Sequence, residues 1–192
     1  MKRIFLNLII LISAASLSSC GYNSMVEKQE AVESQWAQVQ NVYQRRMDLI
    51  PNLVETVKGV ANFEKGTLEA VVQARAEATK TTINANDLTP EKVAQFQKAQ
   101  EGLTGALSKF MSIVENYPDL KANQNFTELQ AQLEGTENRI TVERMKFNEA
   151  VQDYNTYIRK FPNNMTAGMF GFEKKGYFEA TPGSDKAPTV KF

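Results

Sequence analysis

Residues 32–60 read VESQWAQVQNVYQRRMDLIPNLVETVKGV, and their apolar beat decides the fold. Val32, Trp36, Val39, Tyr43, Ile50, Leu53, Val57 and Val60 recur at spacings of four and three once Arg46 is counted in the row. That is the period of a helix presenting one face to its neighbours, and no strand-like alternation of comparable length competes with it. Carried outward to about Ser24 and Glu64, the same phase describes a helix roughly 60 Å long. Pro51 removes one backbone donor and crowds the turn before it, yet the phase continues from Ile50 to Val60. The expectation is a kink and not a break.

Three further stretches keep a helical beat. Thr67–Thr82 carries Leu68, Val71, Val72 and Ala78, and Asn84, Asn86 and Asp87 then mark a loop. Thr89 and Pro90 supply an N-cap and a first-turn proline for a third helix, whose seam runs Val93, Phe96, Gln100, Leu103, Leu107, Phe110, Val114 and Tyr117. After a connector from Pro118 to Asn125, a fourth helix carries Phe126, Gln130, Leu133, Glu137, Ile140, Arg144, Phe147, Val151, Tyr154, Ile158 and Phe161, and Pro162 ends it. Short connections make sequential helices antiparallel. The reading is therefore an all-α, up-down four-helix bundle over residues 24–162, with a long kinked first helix and a long fourth one.

The two ends differ from this middle. Lys2 and Arg3 precede an apolar run from Ile4 to Ala15, followed by Leu17-Ser18-Ser19-Cys20. That is the order of a secretion signal over residues 1–19, too short in its apolar part to span a bilayer comfortably. Leu17 to Cys20 fits a lipobox, in which the thiol of Cys20 takes the lipid (palmitate among its acyl chains) and becomes the new N-terminus. The competing reading is a plain signal or short anchor with an incidental cysteine. Residues 20–23 then form a short tether, and Gly21 after the cysteine favours the outer membrane if the host is Gram-negative. Residues 163–192 are expected to be irregular, because Gly168, Gly171, Gly176, Pro182, Gly183 and Pro188 forbid a long helix. Phe170, Phe172, Tyr177 and Phe178, with Lys174 and Lys175, either rest at the lipid interface or pack back on the bundle.

Composition closes several functional classes. The chain contains no His and one Cys, which removes Ser/His/Asp and Cys/His catalysis, His-based zinc sites and an internal disulfide. No phosphate-binding glycine loop is present, and no cofactor or metal is implied. Loss of residues 1–19 takes Lys2 and Arg3 with it and leaves two more acidic than basic side chains, so nothing favours nucleic acid as a partner.

The polar residues standing in apolar seams are the candidate sites. Arg46, Gln100, Glu137 and Arg144 fall at matching heights of an antiparallel bundle, which predicts one polar layer. Such a layer either fixes helix register or forms a ligand site, and its charges must pair, since an unpaired buried charge costs several kcal/mol. Asp48 and Asn52 flank Pro51 and are expected either to hydrogen-bond the backbone around the kink or to offer a polar patch to a partner. Trp36 and Tyr43, seven residues apart, read as core.

One stretch carries a resemblance. Tyr22-Asn23-Ser24-Met25-Val26, Trp36 with Gln40, and the run from Arg45 through Met47, Asp48, Pro51, Asn52 and Glu55 to Gly59 resemble the LemA family closely. Glu115-Asn116-Tyr117-Pro118-Asp119-Leu120, Asn125-Phe126, Thr136 to Ile140, Arg144 and Phe147-Asn148 are similar to the same family's later blocks. The resemblance spans about Tyr22 to Phe178, with an echo in Pro188 to Phe192. It implies a four-helix antiparallel core, a membrane-associated bacterial protein and no accepted enzymatic activity. Members usually carry an N-terminal transmembrane helix, in whose place this chain has the lipobox. The expected function is that of an envelope lipoprotein acting as a non-catalytic scaffold or adaptor for another envelope protein. The alternative is a small-molecule or ion-binding module using the polar layer. Partner contacts are expected at the distal turns near Phe63 and Pro118.

Overall fold

A computed structural model describes residues 2–60 and 63–180, with side chains from residue 21 onward. The side chain of Cys20, with the lipid assignment resting on it, lies outside the described residues, as do those of the signal segment and residues 181–192. The described chain is all-helical: α1 (Lys2–Lys58), α2 (Lys65–Lys80), α3 (Pro90–Val114), α4 (Pro118–Ala122), α5 (Gln124–Arg159) and α6 (Asn163–Phe170).

Local chemistry sets these bounds. The α1 helix passes through Pro51 and ends at Lys58, six residues short of the end near Glu64 that its apolar phase suggested, with Gly59 in the turn that follows. Thr89 caps α3 as expected, its hydroxyl accepting from the Lys92 N–H, with Pro90 in the first turn. The connector after Tyr117 holds the short α4, and Asn123 then caps α5 by accepting from the Phe126 N–H at 3.2 Å. Residues beyond Pro162, expected to be irregular, open with α6. Gly171, at φ 75°, ends that helix in the left-handed conformation that suits glycine, and the Phe172 N–H closes it on the Ala167 carbonyl.

Pairing between helices follows from the contacts. Lys28 meets Asp153, Gln35 meets Glu143 and Arg46 meets Glu137, so α1 and α5 run antiparallel between the levels of Glu137 and Asp153. The α2 helix lies against α3. The buried apolar residues fall into two clusters. One gathers Trp36, Tyr43, Phe96, Ile140, Phe147, Tyr154 and Phe178, and the other Met47, Leu53, Val71, Leu103, Phe110 and Leu133. Along α1 the boundary falls between Tyr43 and Met47, along α3 between Phe96 and Leu103, and along α5 between Ile140 and Leu133. Arg46, Gln100 and Glu137 occupy that boundary.

Candidate functional site

Arg46 is buried to 1 % exposure and is the hub of the boundary layer. One terminal nitrogen, Nη1, donates to Glu137 Oε1 at 2.7 Å and to Thr104 Oγ1 at 3.0 Å, while Nη2 donates to Gln100 Oε1 at 2.5 Å. Tyr43, one turn earlier, places its ring 5.1 Å from the guanidinium carbon. Gln100 passes the network on by donating to the Ala78 carbonyl, one of the last carbonyls of α2 and so without an intrahelical donor. The layer thus ties α1, α2, α3 and α5 at one height. Its hydrogen bonds are incomplete at one atom: Arg46 Nε is buried and has no partner.

Arg144, expected in this layer, is not in it. It stands two turns along α5 from Glu137, donates to the Glu179 carbonyl at 2.9 Å and lies over the Phe178 ring at 4.8 Å. The heptad phase does not locate its partners, which are Phe178 and Glu179.

The backbone around Pro51 is served by a residue that sequence reasoning missed. Proline has no N–H, so the carbonyl four residues earlier, that of Met47, loses its helical donor. The guanidinium of Arg75 on α2 replaces it, Nε donating to the Met47 carbonyl at 2.9 Å. Asp48 and Asn52, the expected partners, do other things. Asp48 accepts from the Gln44 side chain at 2.7 Å, and at Asn52 it is the main-chain carbonyl that is engaged, accepting from the Thr56 hydroxyl at 2.8 Å. The i−4 rule names Met47 as the group in need, but it does not say which helix supplies the donor.

A second constellation was also missed. Beyond Gly171 the chain runs extended between α3 and α5, gripped by three carboxamides that each make a pair of bonds to the main chain. Asn155 accepts from the Lys175 N–H and donates to the Lys175 carbonyl, both at 2.9 Å. Asn148 does the same to Phe178 at 2.9 and 2.8 Å, and Gln97 to Glu179 at 2.9 and 3.1 Å. The Tyr154 hydroxyl donates to the Glu173 carbonyl at 3.0 Å, and the Gly176 N–H donates to the Leu88 carbonyl at 2.8 Å. At Gly176 a β-carbon would sit 2.7 Å from the Pro90 α-carbon, so only glycine fits so close a crossing. These bonds seat the Phe178 ring 6.0 Å from Trp36, 5.4 Å from Phe147 and 6.3 Å from Phe96. Phe178 and Phe172 therefore pack inward, while Phe170 and Tyr177 remain exposed.

Electrostatics agree with this enclosure. Burial pushes the Tyr43 hydroxyl above the usual tyrosine range, and Arg144 and Arg46 oppose the rise. Burial raises Tyr154 to about 12, helped by Glu173 and Glu33. A hollow adjoins the layer at Gln100, and a larger groove lies further along α1 and α2. The hollow, of about 150 Å³, is lined by Gln40, Tyr43, Met47, Thr79, Phe96 and Gln100, and the apolar groove of about 590 Å³ runs between the end of α1 and α2 past Val54, Val60, Phe63, Leu68 and Val72. Among the described residues no three Cys, Asp or Glu side chains stand close enough together to hold a metal ion. From residue 21 onward, where side chains are described, no helix is long and apolar enough to cross a membrane.

Over the described residues the fold and these sites define an all-helical protein in which an arginine layer and an extended segment after Gly171 organise the interior. The chain belongs to the LemA family, whose model matches residues 35–192. It is similar to the magnetosome protein MamQ 2 of Paramagnetospirillum magneticum, at 25 % identity over 183 residues, covering 85 % of this chain and 66 % of the relative. The magnetosome protein MamQ of Magnetospirillum gryphiswaldense matches at 25 % over 185 residues with the same coverage, so the chain spans just under two thirds of the length of these relatives. Protein LemA of Metamycoplasma hominis matches at 22 % over 159 residues, covering 83 % of this chain and 69 % of the relative.

Proposed function

We propose that the chain is a membrane-anchored envelope lipoprotein, held through Cys20, whose helices form an antiparallel four-helix bundle acting as a non-catalytic scaffold or adaptor for another envelope protein. The names of the relatives state no reaction and no ligand, so the reading rests on the chain's own residues. The observation that carries it is α1, one helix that runs from Lys2 past residue 20 to Lys58. An anchor at residue 20 is thereby joined without a flexible joint to a rod that reaches roughly 57 Å further. The interior polar groups support the scaffold reading. Arg46, Gln97, Gln100, Asn148 and Asn155 all bond to neighbouring elements of the fold. The distal end, with the groove beside Val72 and the turn at Phe63, is the surface where a partner is expected.

The test is paired. In intact cells a photo-crosslinker at Val72 should capture one specific envelope protein, and Cys20→Ser should release the chain from the membrane fraction and abolish the capture. A Cys20→Ser chain that stays fully membrane-bound refutes lipid anchoring, and an absence of adducts across growth and stress conditions refutes the adaptor.

A second reading is favoured by one atom. The buried Arg46 Nε has no partner, and the hollow lined by Tyr43 and Gln100, both of which touch Arg46, suits a small molecule or ion with a hydrogen-bond acceptor. A thermal-shift screen discriminates, because a ligand that binds only the folded chain raises its melting temperature, and Arg46→Met should erase that rise.

A further inference from the structure

The base of the molecule carries an apolar surface that the interior does not use. Among the described large apolar side chains, the four most exposed are Phe161 at 81 %, Met169 at 78 %, Met165 at 67 % and Phe170 at 58 %. All four lie within ten consecutive residues. Exposed apolar side chains are ordinary when scattered, but clustering of this kind marks a contact surface. The α6 helix that presents them is two-faced: Ala167 is buried against the body, while Met165 and Met169, one turn apart, face outward.

Two further observations say what covers this surface. The first is position. The Tyr22 ring stands 5.0 Å from Phe170 and 5.7 Å from Phe172, and a β-carbon at Gly21 would lie 3.2 Å from the Asn163 side-chain oxygen. The patch therefore adjoins residues 21 and 22, next to Cys20 and at the end of the chain that carries the apolar run Ile4–Ala15. The second is charge. From Arg159 to Phe172 the chain has two basic residues, Arg159 and Lys160, and no acidic one.

We propose that Phe161 and α6 form a foot that inserts into the headgroup region of an anionic lipid bilayer, seating the protein on its membrane. The proposal rests on the reading that the Cys20 end is at a membrane. Methionine and phenylalanine side chains enter the boundary between headgroups and acyl chains, where short amphipathic helices lie flat with their apolar face down. Arg159 and Lys160 meet lipid phosphates beside them, and Tyr22 sits at the level where aromatic rings are favoured. The foot is a second attachment at a fixed offset from the first. It sets the tilt of α1, which a lipid on a single residue does not.

The experiment uses the full-length lipidated chain in vesicles of phosphatidylethanolamine and phosphatidylglycerol. An environment-sensitive fluorophore is placed through Met169→Cys, or through Ser112→Cys as a control on α3 at the opposite end. Nitroxide lipids labelled near the headgroup should quench the probe at 169 several-fold more than the probe at 112, and aqueous iodide should do the reverse. Equal iodide access at both positions, in protein that floats with the vesicles, overturns the foot and leaves anchoring intact. Shielding from iodide without lipid quenching, accompanied by cross-links to another protein chain, overturns it in favour of a protein contact. Failure to float with vesicles at all overturns both the foot and the anchoring reading.

Discussion

On one side of Arg46 the core is filled by rings, Trp36, Phe96, Phe147 and Phe178, while on the other it is filled by branched chains around Phe110, among them Leu53, Val57, Val71, Leu103 and Leu133. The aromatic half is closed by main chain. An extended segment lies across it and is held by side-chain amides, and Phe178 plugs the gap. The aliphatic half is closed by a helix, α2, whose Arg75 mends the backbone at Pro51. That half is left with an open groove of about 590 Å³ beside α2. The difference shows that the same helical beat can be completed in two ways. A regular helix covers a core by side chains alone, whereas an irregular segment needs partners for every peptide group it buries.

The comparison can be broken most severely at Phe178. Phe178→Ala should cost about 3–5 kcal/mol, as large-to-small changes in packed cores do, and urea denaturation would measure it. A loss below about 1 kcal/mol, within the range of ordinary surface changes, would mean that the extended segment is not part of the core. The boundary comes next. Glu137→Ala strands the Arg46 charge and should cost about 2 kcal/mol, less than for a fully buried pair because Glu137 is 40 % exposed and Gln100 and Thr104 remain. Arg46→Met, which removes the charge, should be milder.

Asn148→Ala leaves the N–H and carbonyl of Phe178 without partners and should cost about 1–3 kcal/mol. Hydrogen exchange should quicken first at residues 175–179, with the aliphatic half unchanged. Arg75→Met acts on the other half alone, costing about 1–2 kcal/mol for one stranded carbonyl. Pro51→Ala restores the missing N–H, so the double variant should recover most of that loss, and additive losses would sink the assignment. The smallest effect is one of pH. Tyr154 titrates near 12 when folded against 10.0 ordinarily, so its contribution is intact below pH 10 and is lost as the pH rises toward 12. Tyr154→Phe should cost about 1 kcal/mol at neutral pH, for the bond to Glu173, and flatten that alkaline decline.

The aliphatic half was the more legible in the sequence. Ile50, Leu53, Val57, Leu103, Leu107 and Phe110 announce themselves by spacing, and both partners of each contact lie on regular helices. In the aromatic half the fourth wall has no period. Asn148 and Asn155 stand seven residues apart, each directly after a seam residue, Phe147 and Tyr154, and in a heptad reading they pass for solvated surface. Their shared face was the available signal. The layer was legible in Arg46, Gln100 and Glu137 because a polar residue in an apolar row must be answered. Arg144 was misplaced for the same reason, since its answer comes from a stretch that no periodicity locates. Arg75 was hidden because the rule for proline names the carbonyl that loses its donor and leaves the new donor open.

Phe178 is synthesised after every helix it seals. Until the ribosome has passed it, Trp36, Phe96 and Phe147 have no cover and the carboxamides of Asn148 and Asn155 have nothing to grip. A prematurely terminated chain therefore advertises its incompleteness as a greasy, ring-lined cleft, the kind of surface on which chaperones and proteases act.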